Sequence, residues 1–162
     1  MNLPLPAEGK TVRVPARRLF PHPLALEAVA ARLELQTLVL ARSPVQPLVA
    51  VATETGFKWF AGPGSLLRLA PGEGVTAIVY RGPHSPDDAE IRRLAWSDAM
   101  CPAGLPDGAA AARWFRLVHL RMPADLRRDL FGTDRLSLSR AEALTGISRR
   151  TLKRHLPKGG WW

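Results

Sequence analysis

The stretch that most constrains the fold is residues 136–156, with the sequence LSLSRAEALTGISRRTLKRHL. Apolar residues at helical spacing predict two short helices, and Gly146 between them can adopt the left-handed conformation that a sharp turn needs. Ser139, with Glu142 three residues later, predicts the N-cap of the first helix. Ser148 predicts the N-cap of the second helix. The pattern is that of a helix-turn-helix.

The second of these helices has an apolar side and a basic side. Ile147 precedes it, and Leu152 and Leu156 lie four residues apart on one face, so these three side chains are predicted to point inward. In a helix-turn-helix the second helix enters the major groove of DNA. The alternative is a helical hairpin that ends a domain with a solvated basic face.

We therefore predict double-stranded DNA as the partner, because the turn, the caps and the charge agree. Arg149 and Arg150, at the start of the second helix, are the candidates for contacts to base edges. The full set of predicted DNA-binding residues is Arg140, Ser148, Arg149, Arg150, Thr151, Lys153, Arg154 and Lys158. A single module of this kind binds weakly, so we expect a homodimer on a two-fold site.

The charge of the chain is concentrated in its last third. The 162 residues carry a formal net charge of +9, with 46% hydrophobic residues, enough for a buried core. Residues 113–162 hold 12 Lys and Arg against 4 Asp and Glu, whereas residues 1–112 hold 11 against 10. A basic patch confined to one module is the electrostatic footprint of phosphate-backbone binding, and a solvated basic tail is the alternative.

Other composition features exclude several classes of protein. Cys101 is the only cysteine, so neither a disulfide framework nor a cysteine-based zinc site can form, and a reducing cytoplasm fits. The four histidines lack the spacing of metal ligands, so we predict no metal site. No apolar run is long enough for a signal peptide or a membrane span, so we expect a cytoplasmic protein.

The first half of the chain predicts a small α+β domain, residues 1–82. Val12, Val14 and Leu19 indicate a first strand, and residues 24–35 a helix. Residues 47–52 and 57–61 predict a hairpin, residues 66–70 a short helix, and residues 75–80 a further strand. The residues predicted to face inward from the helix are Leu26, Val29, Ala30 and Leu33.

The second half, residues 83–162, predicts an all-α domain. Ser85 is the predicted cap of a helix that runs to about residue 100, with Asp87, Asp88 and Glu90 in its first turn. Residues 109–121 and 123–130 predict two more helices, the second of which ends at Gly132. Trp59, Trp96 and Trp114 are predicted core residues, although Phe115 and the tryptophans could also stack on bases.

The succession of elements resembles the ParB family, whose N-terminal domain shares its fold with sulfiredoxin. Five segments are similar to that family's strands and first helix: VRVPARRLFPHP (12–23), LALEAVAARLEL (24–35), QPLV (46–49), FKWFAG (57–62) and VTAIV (75–79). The resemblance covers residues 11–156. It implies a ParB/sulfiredoxin-like N-terminal domain followed by a helical DNA-binding domain with a helix-turn-helix at 136–156.

The chain departs from the family at its nucleotide motifs. After Gly62 the family has Glu-Arg-Arg, whose arginines contact nucleotide phosphates, whereas this chain has Pro63, Gly64 and Ser65. The family's second nucleotide segment, ENLQR, falls near residues 97–101, which keep neither its Asn nor its Gln-Arg. We therefore predict no cofactor, with a cytidine nucleotide such as CTP as the alternative that the resemblance implies.

Two further groups of residues are candidates for a site. Gly62, Gly64, Ser65 and Arg68 would form a phosphate or nucleotide pocket at a helix N-terminus; the alternative is a glycine turn needed for packing. Asp87, Asp88 and Glu90 are carboxylates of the kind that metal-dependent nucleases use, but the first turn of a helix accounts for them. No set of catalytic residues stands out, so we do not predict an enzyme.

The function predicted is that of a ParB-like, bacterial DNA-binding protein associated with the nucleoid or a plasmid. Its role would be transcription regulation, or partition and maintenance of a chromosome, plasmid or mobile element. The alternative is a protein-interaction module, such as an inhibitor or adaptor of conjugation or secretion machinery, with a partner protein. A nuclease or nucleotide hydrolase is a third alternative.

Overall fold

The computed structural model describes residues 9–36, 47–62, 73–102 and 105–159. These residues form a five-stranded β-sheet and six α-helices, so the α+β class predicted from the sequence is confirmed. The chain divides into two compact units. The sheet unit comprises Asn2–Val29 and Pro44–Ala99, and the helical unit comprises Ala30–Ser43 and Met100–Trp162.

The five strands of the sheet unit are β1 (Lys10–Pro15), β2 (Leu19–Pro21), β3 (Leu48–Ala52), β4 (Phe57–Ala61) and β5 (Gly74–Tyr80), in the order β1-β5-β3-β4-β2. β1 is antiparallel to β5, β5 is parallel to β3, and β2 is parallel to β4. The prediction that Leu19 belongs to the first strand is therefore wrong. Leu19 begins a separate strand, β2, at the opposite edge of the sheet.

The predicted hairpin is confirmed: β3 and β4 are antiparallel neighbours. Thr53 fixes the turn between them, because its amide donates to the Gly56 carbonyl at 2.8 Å and its Oγ1 accepts from the Gly56 amide at 3.2 Å. Alternate residues of the strands share one face of the sheet. That face forms a core of Val14, Leu48, Ala50, Trp59, Val75, Ala77 and Val79.

Helix α1 (Leu26–Gln36) buries a face that matches the predicted one only at Val29, which is half-buried and packs against the sheet core. Leu26 and Leu33 are 50% and 46% exposed, and Ala30 is exposed as well. Apolar residues occur on nearly every side of this helix, so its pattern allows more than one inward face. Small side chains permit the closest helix packing, and the residues that are buried are Ala28, Ala31 and Leu35.

Helix α2 (Asp88–Ala99) belongs to the sheet unit, where it packs against β4. The sequence-based boundary at residue 82 thus lies inside this unit, whose last residue is Ala99. The predicted cap Ser85 is also wrong. Asp87 caps the helix instead, since its Oδ1 accepts from the Glu90 amide at 2.8 Å.

The helical unit contains α3 (Gly108–Leu120), α4 (Ala124–Phe131), α5 (Leu138–Thr145) and α6 (Arg149–His155). Trp114 is fully buried, stacks edge-on against Phe131 with the ring centroids 6.0 Å apart, and donates through Nε1 to the Met100 carbonyl at 2.8 Å. Gly132 ends α4 in the left-handed conformation, as predicted. The predicted helix at 66–70 lies outside the described residues, and so do two of the tryptophans considered for base stacking, Trp161 and Trp162.

Candidate nucleic-acid interface

A short glycine turn joins α5 to α6. Gly146 has a φ of 71°, which confirms the predicted left-handed turn, and its amide donates to the Glu142 carbonyl at 2.9 Å. The hydroxyl of Thr145 donates to the Ala141 carbonyl at 2.8 Å and accepts from the Ile147 amide at 3.2 Å. The turn is therefore held by bonds from both sides, which restricts how α6 can leave α5.

Serine side chains cap both helices of this pair. Ser148 accepts from the Thr151 amide at 3.2 Å, as the sequence predicts. The cap of α5 is Ser137, which accepts from the Arg140 amide at 3.1 Å. The prediction of Ser139 as the cap is wrong, because the helix begins two residues earlier than that cap requires, and Ser139 lies in its first turn.

One side of α6 is buried against α5 and α3. Leu152 has no exposed surface and Leu156 is also buried, whereas Ile147 is half-buried. The start of α3 lies equally close: a Cβ atom at Gly108 would collide with the methyl group of Thr151. Side chains that pack beneath α6 thus hold it against α5 and α3.

The opposite side of α6 is open to solvent. We call Arg150, Lys153 and Arg154 the basic face; all three side chains are exposed. Within the part of the chain that the structure describes, none of them pairs with a carboxylate. Arg140, Ser148 and Lys158, which the sequence analysis also assigned to DNA, are exposed as well.

Arg149 differs from the basic face because its side chain is held within the motif. Its Nε lies 3.0 Å from Glu142 Oε2, and its NH1 group donates to Ser139 Oγ at 3.4 Å. Glu142 was predicted to support the cap of α5 together with Ser139, and its contact with Arg149 was not predicted. The spacing of seven residues across a glycine turn is the signal that could have indicated it.

Thr151 is half-buried and also interacts within the motif. Its Oγ1 lies 2.9 Å from Ser148 Oγ, and its methyl group faces Gly108 of α3. Among the predicted DNA-binding residues, the side chains of Ser148, Arg149 and Thr151 thus bond or pack within the helical unit. Seven of the eight are exposed, Arg149 included, and only Thr151 is half-buried.

Of the four residues of the predicted anion pocket, the structure describes Gly62. Gly64, Ser65 and Arg68 lie outside the described residues. The Gly62 amide donates to Asp98 Oδ2 at 3.1 Å, so a carboxylate of the sheet unit already occupies this donor. Gly62 has a φ of 75°, and a Cβ atom there would collide with the Pro47 carbonyl oxygen. Packing alone therefore requires glycine at this position.

The carboxylates and aromatic side chains that were also considered as site residues have structural roles. Asp87 caps α2, and no group of three or more His, Cys, Asp or Glu side chains among the described residues is arranged to hold a metal ion. Phe115 is fully buried and cannot stack on a base, and Trp59, Trp96 and Trp114 are core residues, as predicted. Cys101 is a free, partly buried thiol.

Two histidines have perturbed acidities. Burial lowers the pKa of His22, which accepts through Nδ1 from the Leu24 amide at 3.3 Å, and nearby Lys58 lowers it further. Burial likewise lowers the pKa of His119, whose Nδ1 donates to the Phe115 carbonyl at 3.0 Å. Both rings are thereby favoured in the neutral form, and neither lies on the basic face.

No protein-family model matches the chain, and no curated protein matches it. Among the described residues, no helix is both long and apolar enough to cross a membrane.

Proposed function

We propose that this chain is a ParB-like, bacterial protein that binds duplex DNA through α5 and α6. Its role is transcription regulation, or partition and maintenance of a chromosome, plasmid or mobile element. The observation that carries the proposal is the basic face, where three exposed cations lie on one side of a helix whose other side is anchored by buried Leu152.

A helix with one exposed basic side is suited to binding in the major groove of DNA. The major groove of B-DNA is wide enough to admit an α-helix, and cations that neutralise phosphates release condensed counterions. We assign Arg150, near the start of α6, to base edges, and Lys153 and Arg154 to phosphates. Arg140 and Lys158 extend the positive surface toward the DNA backbone.

The proposal includes a homodimer, because a helix-turn-helix that reads a two-fold site places two recognition helices about one DNA turn apart. It assigns no catalytic role and needs no cofactor, and it places the protein in the cytoplasm with the nucleoid or a plasmid. A partner protein is compatible with either of the proposed roles.

The test is fluorescence anisotropy of a labelled random-sequence duplex, titrated with the chain at several salt concentrations. We expect log K to fall linearly with log salt. Lys153→Ala or Arg154→Ala should reduce that slope by about 1, because each variant leaves one DNA phosphate without its protein cation. Arg17→Ala is the matched control, since it removes one exposed positive charge from the sheet unit. The proposal is contradicted if the affinity does not depend on salt concentration, or if all three variants change the salt slope equally.

A protein-interaction module is the second candidate, and exposed apolar side chains favour it. Leu120 of α3 is 58% exposed, and Leu33 is exposed on the part of α1 that belongs to the same unit. If the chain fails to bind duplex DNA, replacing both leucines by Asp and comparing protein capture from a bacterial lysate tests this candidate.

A further inference from the structure

The contact between Glu142 and Arg149 joins the two helices of the helix-turn-helix. Glu142 Oε2 lies 3.0 Å from Arg149 Nε, and Glu142 Oε1 accepts from the Arg149 backbone amide at 3.4 Å. One carboxylate of α5 thus binds both the side chain and the first backbone amide of α6. Ser139, one turn earlier in α5, accepts a further bond from the guanidinium at 3.4 Å.

This contact contributes little to the stability of the fold. The two side chains are 60% and 39% exposed, and exposed ion pairs are weak because water screens them. What the contact does supply is direction, since a guanidinium presents its donors in a rigid planar fork. It fixes the first turn of α6, on which the orientation of the basic face depends.

We propose that Arg149 is a positioning residue, which holds α6 at the angle that sequence-specific DNA binding requires, and that it does not itself contact DNA. This inference rests on the proposed function. It removes Arg149 from the candidates for base reading and leaves that role to Arg150, whose side chain is exposed and has no carboxylate partner among the described residues.

The charge of the pair allows positioning to be separated from direct contact. Removing either partner alone changes the net charge, and this alters the affinity for any DNA. Replacing both, as Glu142→Gln with Arg149→Gln, leaves the summed charge of the pair at zero and removes the ion pair. Arg128→Gln with Asp134→Asn is the matched control, because that pair is also exposed and lies 3.6 Å apart in the same unit.

The experiment uses the full chain and two duplexes of equal length, one selected by the wild-type chain from a randomised pool and one scrambled. Affinities for both are measured over a series of salt concentrations. For the double variant we expect the preference for the selected duplex to fall by about fivefold or more, as for other coupled residues. Its affinity for the scrambled duplex and its salt slope stay unchanged, and the control variant behaves like wild type.

Selection from the pool is then repeated with the Glu142→Gln/Arg149→Gln variant. A positioning role weakens the preference at every base pair of the selected site. Loss of preference at a single base pair shows that Arg149 reads that base and overturns the inference. A salt slope reduced by about 1 shows a direct phosphate contact and also overturns it.

An unchanged preference in the double variant overturns the inference as well, while Arg150→Ala still tests the proposed function independently. If Arg150→Ala weakens binding but the double variant does not, only the positioning role fails. If the wild-type chain binds neither duplex, the proposed function fails and the inference falls with it.

Discussion

Arg127 donates hydrogen bonds that join α3, the turn after it and the segment after α4. Its guanidinium donates to the carbonyls of Val118 and His119 at 3.3 and 3.2 Å, to the Met122 carbonyl, and through Nε to the Asp134 carbonyl. The last carbonyls of a helix have no partner within it, and a cation there also complements the helix dipole. Arg127 therefore closes the end of α3.

Replacing this cap should destabilise the helical unit. We expect Arg127→Ala to lower the free energy of unfolding by about 2 kcal/mol, because several partly buried carbonyls lose a charged donor. Urea unfolding followed by circular dichroism measures it. Arg128→Ala is the neighbouring control, an exposed arginine whose pair should contribute less than about 1 kcal/mol. Equal losses for the two variants would show that the cap has no special role.

His119 makes the stability of the fold depend on pH. Burial lowers the pKa of His119 in the folded protein, and Arg127 and Arg135 lower it further, while bonds to the Phe115 and Leu136 backbone oppose them. The unfolded chain, with a histidine pKa near about 6.5, then binds the proton more readily than the folded chain. Stability is complete above that value and falls as the pH drops through it toward the folded pKa.

We expect urea midpoints measured from neutral to mildly acidic pH to fall less steeply in His119→Gln than in the wild-type chain. Glutamine can still donate to the Phe115 carbonyl but does not titrate. His22 shifts in the same direction, so part of the slope remains in this variant. A slope identical to that of wild type would mean that His119 contributes nothing.

At the scale of elements, the packing of α3 against α6 depends on one missing side chain. Alanine normally favours a helix over glycine by up to about 1 kcal/mol. At Gly108 we expect Gly108→Ala to lower the melting temperature instead, because its Cβ would collide with the Thr151 methyl group and crowd the His155 ring. Thermal unfolding tests this. Adding Thr151→Ser, which removes that methyl group, should restore most of the loss; if it does not, the collision is not the cause.

Most elements could be predicted from the sequence because their signals are local. The strands of the hairpin, the turn at Gly146 and the cap Ser148 each depend on a few neighbouring residues. The predicted cap of α5 was wrong because Ser137 and Ser139 are both residues that cap helices, and Glu142, three residues after Ser139, favoured Ser139. The inward face of α1 was predicted incorrectly because apolar side chains occur on nearly every side of that helix. Only the packing of the folded chain decides which of them are buried.

At the scale of the molecule, the excess charge and the helix-turn-helix occur in the same third of the chain. Each chain offers one basic face on one short helix, so we expect two chains to occupy one palindromic duplex. Anisotropy titrations at concentrations well above Kd give the ratio directly, and sedimentation of the complex checks its mass. Saturation at one chain per palindromic duplex would contradict the proposed homodimer.

The candidate interface was more predictable than its internal contacts. The exposure of the cations of α6 could be predicted because Leu152 marks the buried side of a helix, and the cations are spaced so that they lie on the other side. All of these residues lie within a few positions of one another in the sequence. The ion pair of Arg149 with Glu142 depends on how the turn folds back, and the assignment of α2 to the sheet unit depends on contacts distant in sequence. The spacing of seven residues across the glycine turn is a weak signal for the ion pair, and the contacts of α2 leave no periodic pattern in the sequence.

The burial of Leu152 directly beneath the basic face has a consequence for genetics. Random mutagenesis with selection for loss of the proposed DNA-dependent function should return two groups of alleles. Substitutions of exposed cations would weaken that function to the same extent at every growth temperature. Substitutions at Leu152 or Ala141 would be temperature-sensitive, because they disturb the support of α6 and leave its charge unchanged.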